Sequence, residues 1–250
     1  MNNYIKKFKE IGIEDIAKVG GKNSSLGEMF SKLTSVGISV PDGFATTAYA
    51  FEEFLTQNSL HTKLDDLMSE LDRNNYENLH ETGAKARALM LAGEFSQKLQ
   101  SSILQAYKEL CGENDYEVAV RSSATAEDLP QASFAGQHES YLNIKGEAAL
   151  LTAVKKCYAS LYADRAIKYR EENGFGHQKV ALSVGVQKMV RSDKASSGVI
   201  FTLEPESGFR DIIHLSGVWG LGENIVQGTV TPDEFLIYQI NLSEVWQFAL

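Results

Sequence analysis

VAVRSSATAEDLPQASFAG, residues 118–136, is the stretch on which the reading of this chain turns. Val118, Ala119 and Val120 give a short apolar strand signal that delivers a cation, Arg121, at its end. Small residues follow. Ser122, Ser123, Thr125, Ser133 and Gly136 can all approach an anion closely, with little bulk in the way. A guanidinium offers a planar fork of donors, and a loop of small donors adapts around oxygens, so the combination suits a polyphosphate. The alternative is an ordinary surface loop with Arg121 in a salt bridge. The acidic pair Glu127-Asp128 fits either reading, as a charge tether for the loop or as a solvated pair.

The same stretch divides the chain. Before it, a short strand fits residues 4–12. A helix fits Ser24 to Val36, where Leu26, Met29, Phe30 and Leu33 recur at helical spacing and Gly37 supplies a stop. Pro41-Asp42-Gly43 marks a turn. Helical patterns cover Thr47 to Gln57, Leu60 to Leu71, 77–92 and 95–111. The character changes near Tyr116. Strands are predicted at 117–121 and 138–144, then one helix over 146–172. In VALSVGVQKMV, residues 180–190, Val180, Leu182, Val184, Val186 and Val190 alternate, and Gln187 falls on the opposite face. Further strands fit 197–203, 211–218 and 233–240. A helical first half and a strand-rich second half, without regular βαβ alternation, predict an α+β fold. The polar run RSDKASSG at 191–198 marks a boundary, giving one unit at 1–190, with a helical insertion at about 47–112, and a second at 191–250.

With 250 residues and 43% hydrophobic content, the chain can bury one large or two small cores. Its net charge of −9 argues against general nucleic-acid binding, which needs clustered Lys and Arg, but leaves room for a local basic pocket. Cys111 and Cys157 form no CxxC and no metal spacing, and read as reduced thiols. Neither a signal-peptide core nor a membrane-length apolar run is present, so the cytoplasm is the expected location and no membrane partner is expected.

Gly20-Gly21-Lys22-Asn23-Ser24-Ser25 stands before the first helical pattern, where free N–H groups and a lysine would attract an anion. It is not a P-loop: Ile16 stands where that motif needs glycine, and Asn23 where it needs Ser or Thr. The alternative is a glycine turn with a solvated lysine. Gly220-Leu221-Gly222-Glu223-Asn224-Ile225 fails as a dinucleotide fingerprint at its third glycine; Glu223 and Asp233 are candidate polar pocket members. His61, His80, His138, His177 and His214 lack metal-ligand spacing and read as structural or surface residues. Asp164 and Lys168, at i and i+4, suggest a helix-surface pair.

Taken in order, GGKNSSLGEM (20–29), SVPDGFATTAYAF (39–51), VAVRSSATAEDLPQASFAGQHESYLN (118–143), LYADRAIKYR (161–170), VALSVGVQKMVRSDKASSGVIFT (180–202) and WGLGENIVQGTVTPDEF (219–235) resemble the N-terminal nucleotide-binding domain of the phosphoenolpyruvate synthase (pyruvate, water dikinase) family. The resemblance covers most of residues 10–238 and is weak over 56–115. It implies an ATP-grasp fold, two α+β subdomains that clamp ATP, with the second subdomain truncated here. It also implies that Lys22 and Arg121 bind the phosphates and act catalytically, that Gly136 and Ser140 belong to the nucleotide loop, and that Gln187 lies near the adenine. The implied reaction converts ATP, pyruvate and water to AMP, phosphoenolpyruvate and phosphate through a carrier histidine. Mg²⁺ is implied as a cofactor, with its acidic ligands expected beyond residue 250; no metal ligand is expected within the chain.

No segment resembles the carrier-histidine turn or a pyruvate-binding barrel. The chain is therefore expected to be a fragment, unable to make phosphoenolpyruvate alone and binding ATP weakly at best, whose pyruvate site, phosphohistidine carrier and any homo-oligomer contacts lie on other domains. Two alternatives stand beside this: a related dikinase or phosphotransferase with phosphate, a glucan or an antibiotic as acceptor, and a non-catalytic nucleotide-binding module.

Overall fold

A computed structural model describes residues 3–112, 116–125, 128–129, 132–133, 139–177 and 180–239. The chain forms two compact units, Met1–Met189 and Val190–Leu250. Both mix helix and sheet, as the α+β reading requires.

The first unit is built on a five-stranded antiparallel sheet. Its strands are β1 (Ile5–Lys7), β2 (Gly43–Thr46), β3 (Val118–Ala124), β6 (Ser140–Ile144) and β7 (Leu182–Lys188), in the order β1-β2-β7-β3-β6. A two-residue ladder, β4 (Asp128–Leu129) with β5 (Ala132–Ser133), lies between β3 and β6 in sequence. Period two decides which residues face inward. Val118, Val120 and Ala124 of β3 and Leu182, Val184 and Val186 of β7 are all fully buried in one large apolar cluster. That cluster is closed by helices α2 (Ala48–Gln57), α3 (Leu60–Ser69), α4 (Leu79–Ala92), α5 (Gln97–Cys111) and α6 (Glu147–Ala159). The helices start where local chemistry dictates. Thr47 accepts from Ala50 N and Ser96 from Leu99 N, each side chain satisfying a donor of the first turn. On α5, Leu99, Ile103, Ala106 and Tyr107 are the buried stripe, which is the 3.6-residue period at work.

The other face of the sheet carries α1 (Ile16–Leu33). It packs with Phe8, Ile11, Val19 and Ala45 in a small second cluster. This helix differs from the predicted one. It begins at Ile16, breaks at Gly20 (φ 75°, ψ 165°) and resumes through the lysine segment. Only glycine enters that region of backbone space without strain. The predicted strand at 4–12 shrinks to Ile5–Lys7 followed by a 3₁₀ turn. Strand β2 was hidden behind the Pro41-Asp42-Gly43 turn, since four residues offer too little alternation to read. The long helix over 146–172 is two. A 3₁₀ turn at Ser160–Tyr162 and an extended Ala163 separate α6 from α7 (Asp164–Glu172), and they turn Leu161 and Tyr162 into the core.

The second unit is an antiparallel meander of β8 (Ser196–Phe201), β9 (Ile212–Trp219) and β10 (Asp233–Tyr238), with a one-turn helix α8 (Glu223–Val226). Among its described residues, large apolar side chains such as Ile200, Phe235 and Leu236 are open to solvent. No helix among the described residues is long and apolar enough to cross a membrane.

Candidate functional site

Strand β3 does not end at Arg121 but runs on to Ala124, so two of the residues read as loop donors are strand residues. Ser122 turns to the core side, where its hydroxyl is buried and unpartnered. Ser123 is buried on the α1 side and accepts from Asn23 N at 3.3 Å. Thr125 is committed to Ala181 O at 3.2 Å. None of the three hydroxyls therefore surrounds an anion as the sequence suggested. Ser133 has only its backbone described. Gly136, Glu127 and His138 lie outside the described residues.

Arg121 keeps its expected character. It is exposed and alternates with Val120 and Ser122, so it lies on the α1 face of the sheet. Pairing register sets its neighbours. Ser140 of β6 stands opposite Arg121, and Gly185 of β7 stands opposite it on the other side. The row continues to Ala45 of β2 and Lys6 of β1. Directly opposed residues on antiparallel strands project to the same side, about 5 Å apart. Ser140 and Arg121 thus share a face. Gln187, two residues after Gly185, shares it too, and its Nε2 donates to Pro41 O at 2.9 Å.

Lys22 stands on α1, which packs against this face. It is exposed, and the next residue, Asn23, is buried against β3 and β7. Besides the bond from its N–H to Ser123, Asn23 donates through Nδ2 to Ser183 Oγ at 2.9 Å and to Val19 O at 3.1 Å. Its Oδ1 lies over Gly185: a Cβ built there would come within 2.2 Å of it. The Asn23 N–H is thereby spent on Ser123 and is not free for an anion, as the sequence reading had supposed for this helix start. A Cβ on Gly20 would fall 2.2 Å from Ser123 Oγ, so this glycine serves close approach as well as the turn.

Three of the five candidates, Arg121, Ser140 and Gln187, therefore belong to one face of one sheet, and the fourth, Lys22, stands on the helix packed against that face, next to Asn23. Their chemistry is an ammonium, a guanidinium, a hydroxyl and an amide: donors for phosphate oxygens, and a donor–acceptor pair for a base edge. Sequence reasoning missed Ser183 and Gly185 and gave Asn23 and Ser123 other roles. A signal existed for one of them, since glycine in the middle of a strand marks a close backbone approach.

Electrostatics hold the near end of α1. Asp15 is buried, which opposes ionisation, but bonds from Lys6, Lys18 and Gly12 N outweigh that and hold its carboxyl at about 2. Other charged groups are engaged elsewhere. A cleft of 610 Å³ on the core side of β6 includes Arg87, Tyr141, Lys156, Asp164 and Arg165 in its lining. Its arginines are matched within it: Arg87 to Asp164 at 2.9 Å, and Arg165 to Glu139 at 3.6 Å. Asp164 also bonds His80 at 2.8 Å, while Lys168 pairs with Glu172. The predicted Asp164–Lys168 pair is thus not formed: Asp164 takes tertiary partners and Lys168 another helix-surface partner at i+4. His177 bonds Glu171 at 2.6 Å inside a structural network with Arg73 and Arg170. Burial and the neighbouring Arg170 push the His177 pKa down. Among the described residues, no group of three or more His, Cys, Asp and Glu could hold a metal ion.

Residues 16–247 match the family described as pyruvate phosphate dikinase, AMP/ATP-binding domain. Curated relatives named phosphoenolpyruvate synthase align over nearly the whole chain. The protein from Synechocystis is 53% identical over 244 residues, 95% of this chain and 30% of the relative. That from Pseudomonas aeruginosa is 50% identical over 243 residues, 97% of this chain and 31% of the relative. That from Escherichia coli is 48% identical over 237 residues, 94% of this chain and 30% of the relative. The chain thus spans about three tenths of the length of these relatives.

Proposed function

Because this chain belongs to the pyruvate phosphate dikinase AMP/ATP-binding domain family, we propose that the α1 face of its five-stranded sheet is the ATP site, with Lys22 and Arg121 on the phosphates. The observation that supports this reading is that Arg121, Ser140 and Gln187 share the sheet face on which α1 packs through Asn23, the residue after Lys22. Lys22 brings a compact charge and Arg121 a planar fork, two ways of offsetting negative oxygens during transfer. Ser140 supplies a hydroxyl beside the guanidinium. Gln187, with one amide hydrogen committed to Pro41, offers its remaining donor and acceptor to adenine. Gly136 completes the nucleotide loop. The fold is read as ATP-grasp, with Met1–Met189 and Val190–Leu250 as its two subdomains.

At the level of the whole protein, the reading is phosphoenolpyruvate synthase: ATP, pyruvate and water give AMP, phosphoenolpyruvate and phosphate, with the phosphoryl group carried on a histidine of another domain. In that reaction Lys22 and Arg121 position and neutralise the polyphosphate, and they do no covalent chemistry themselves. The protein works in solution in the cytoplasm, with Mg²⁺ supplied as the nucleotide's counter-ion.

Calorimetric titration of ATP, with and without Mg²⁺, tests the site. Arg121→Ala is expected to weaken ATP binding about tenfold or more, the scale of a lost charge-assisted contact. Arg165→Ala, on the other side of the sheet, should leave it unchanged. Equal effects of the two substitutions would remove Arg121 from the site.

A further inference from the structure

Asn23 is the residue that rules out a P-loop in the sequence, and in the fold it is the most heavily engaged side chain of the glycine–lysine segment. It is 2% exposed. Its main chain and side chain reach both central strands: N to Ser123 of β3, Nδ2 to Ser183 of β7, and Oδ1 packed on the bare Cα of Gly185. Nδ2 also returns to Val19 O, across the break at Gly20. One residue therefore ties together the two helical pieces of α1 and the two strands beneath them: its side chain holds Val19 and β7, and its main-chain N–H holds β3. Ser183 is fixed in turn, since its hydroxyl donates to Thr46 O in the next strand. Thr46 Oγ1 accepts from Val184 N at 3.0 Å and from Tyr158 OH at 3.4 Å, so the chain of bonds ends in the core.

Gly185 also faces Arg121 across the β3–β7 pair. The amide of Asn23 thus sits over the strand position beside the guanidinium, and Lys22 is its covalent neighbour. We propose that Asn23 is a positioning residue: with Ser123, Ser183 and Gly185 it locks the glycine–lysine turn onto the sheet so that Lys22 is held at the Arg121 position. This rests on the reading of Lys22 as a phosphate ligand. Lysine is a flexible point charge, and a fixed Cα shortens the search its ammonium must make. Loss of the lock would be felt through Lys22 and not through Asn23 itself, which is buried.

A double-mutant cycle decides this, because two residues that act through one contact give non-additive losses. ATP affinity is measured by calorimetry on the full-length wild-type protein, Asn23→Ala, Lys22→Ala and the double variant, with circular dichroism confirming the fold of each. Each single variant should weaken ATP about tenfold. The double variant should bind no more weakly than Lys22→Ala alone. Unchanged affinity in Asn23→Ala overturns the proposal, and so do additive losses of about a hundredfold in the double variant, which would mark a general structural defect. An unchanged affinity in Lys22→Ala instead overturns the phosphate reading of Lys22, and absence of ATP binding by the full-length wild-type protein overturns the site as a whole. If Asn23→Ala does not fold, Ser123→Ala, which removes only the acceptor of the Asn23 N–H, takes its place in the same cycle with the same expected outcomes.

Discussion

The two faces of the five-stranded sheet are made from alternate residues of the same strands, yet they are built on opposite terms. On β7, Leu182, Val184 and Val186 go into a large apolar core, while Ser183, Gly185 and Gln187 face α1. On β3, Val118, Val120 and Ala124 face the core, while Arg121 and Ser123 face α1. The core face is held by area, which is non-directional and roughly additive. The α1 face has a small apolar cluster and depends on placed hydrogen bonds and glycines that admit close approach. An apolar face tolerates rearrangement among similar side chains. A face assembled from single bonds to Ser123 and Ser183 does not, because each leaves a buried polar group behind when broken. An apolar core face and a hydrogen-bonded face are thereby separated by one residue along the strand.

Three substitutions would break or sharpen this contrast. The largest effect belongs to the core face. Phe54 is fully buried, with ring centroids 5.3 Å from Phe95 and 5.4 Å from Tyr158. Phe54→Ala should cost about 3–5 kcal/mol in urea unfolding, with ATP affinity of the folded fraction unchanged. A loss under about 1 kcal/mol would mean that this core is far looser than its burial implies. Next comes Gly20→Ala. A positive φ of 75° and a contact of 2.2 Å with Ser123 Oγ give it both backbone strain and overpacking. The expected loss is about 2–3 kcal/mol, accompanied here by weaker ATP binding. Intact binding in a folded Gly20→Ala chain would show that the two faces are not distinguished in this way.

The smallest effect is the acid response of Asp15. Its carboxyl is held at about 2 in the folded chain, against an ordinary value of about 3.9. A depressed value means stability that is fully present above pH 4 and is lost as the pH falls through 2. The contribution is about 2 kcal/mol. Asp15→Asn should flatten the stability profile between pH 4 and pH 2, and an undiminished slope in that variant would assign the acid response to other carboxylates.

Much of this could be read before any coordinates. The alternation in VALSVGVQKMV assigned Gln187 to the side away from the valines, and β7 follows it. Arg121 and Lys22 stood out because cations beside small residues have few structural uses. What escaped was non-local. Helix α6 and helix α7 read as one because both carry apolar periodicity, and only the packing of Leu161 and Tyr162 separates them. Asp164 looked like the partner of Lys168, four residues on, until His80 and Arg87 arrived from another helix. The serines after Arg121 looked like loop donors because a strand of seven residues with mixed polarity has no clean period.

Sequence by itself determined the α+β class, the strand parity and the residue types able to meet a polyphosphate, because propensity and periodicity act over a few neighbours. The tertiary structure alone decided that Asn23, Ser123, Ser183 and Gly185 meet. Those contacts join positions 100 and 160 residues apart, and no local rule carries information over such a distance; only the register of β3 against β7 does.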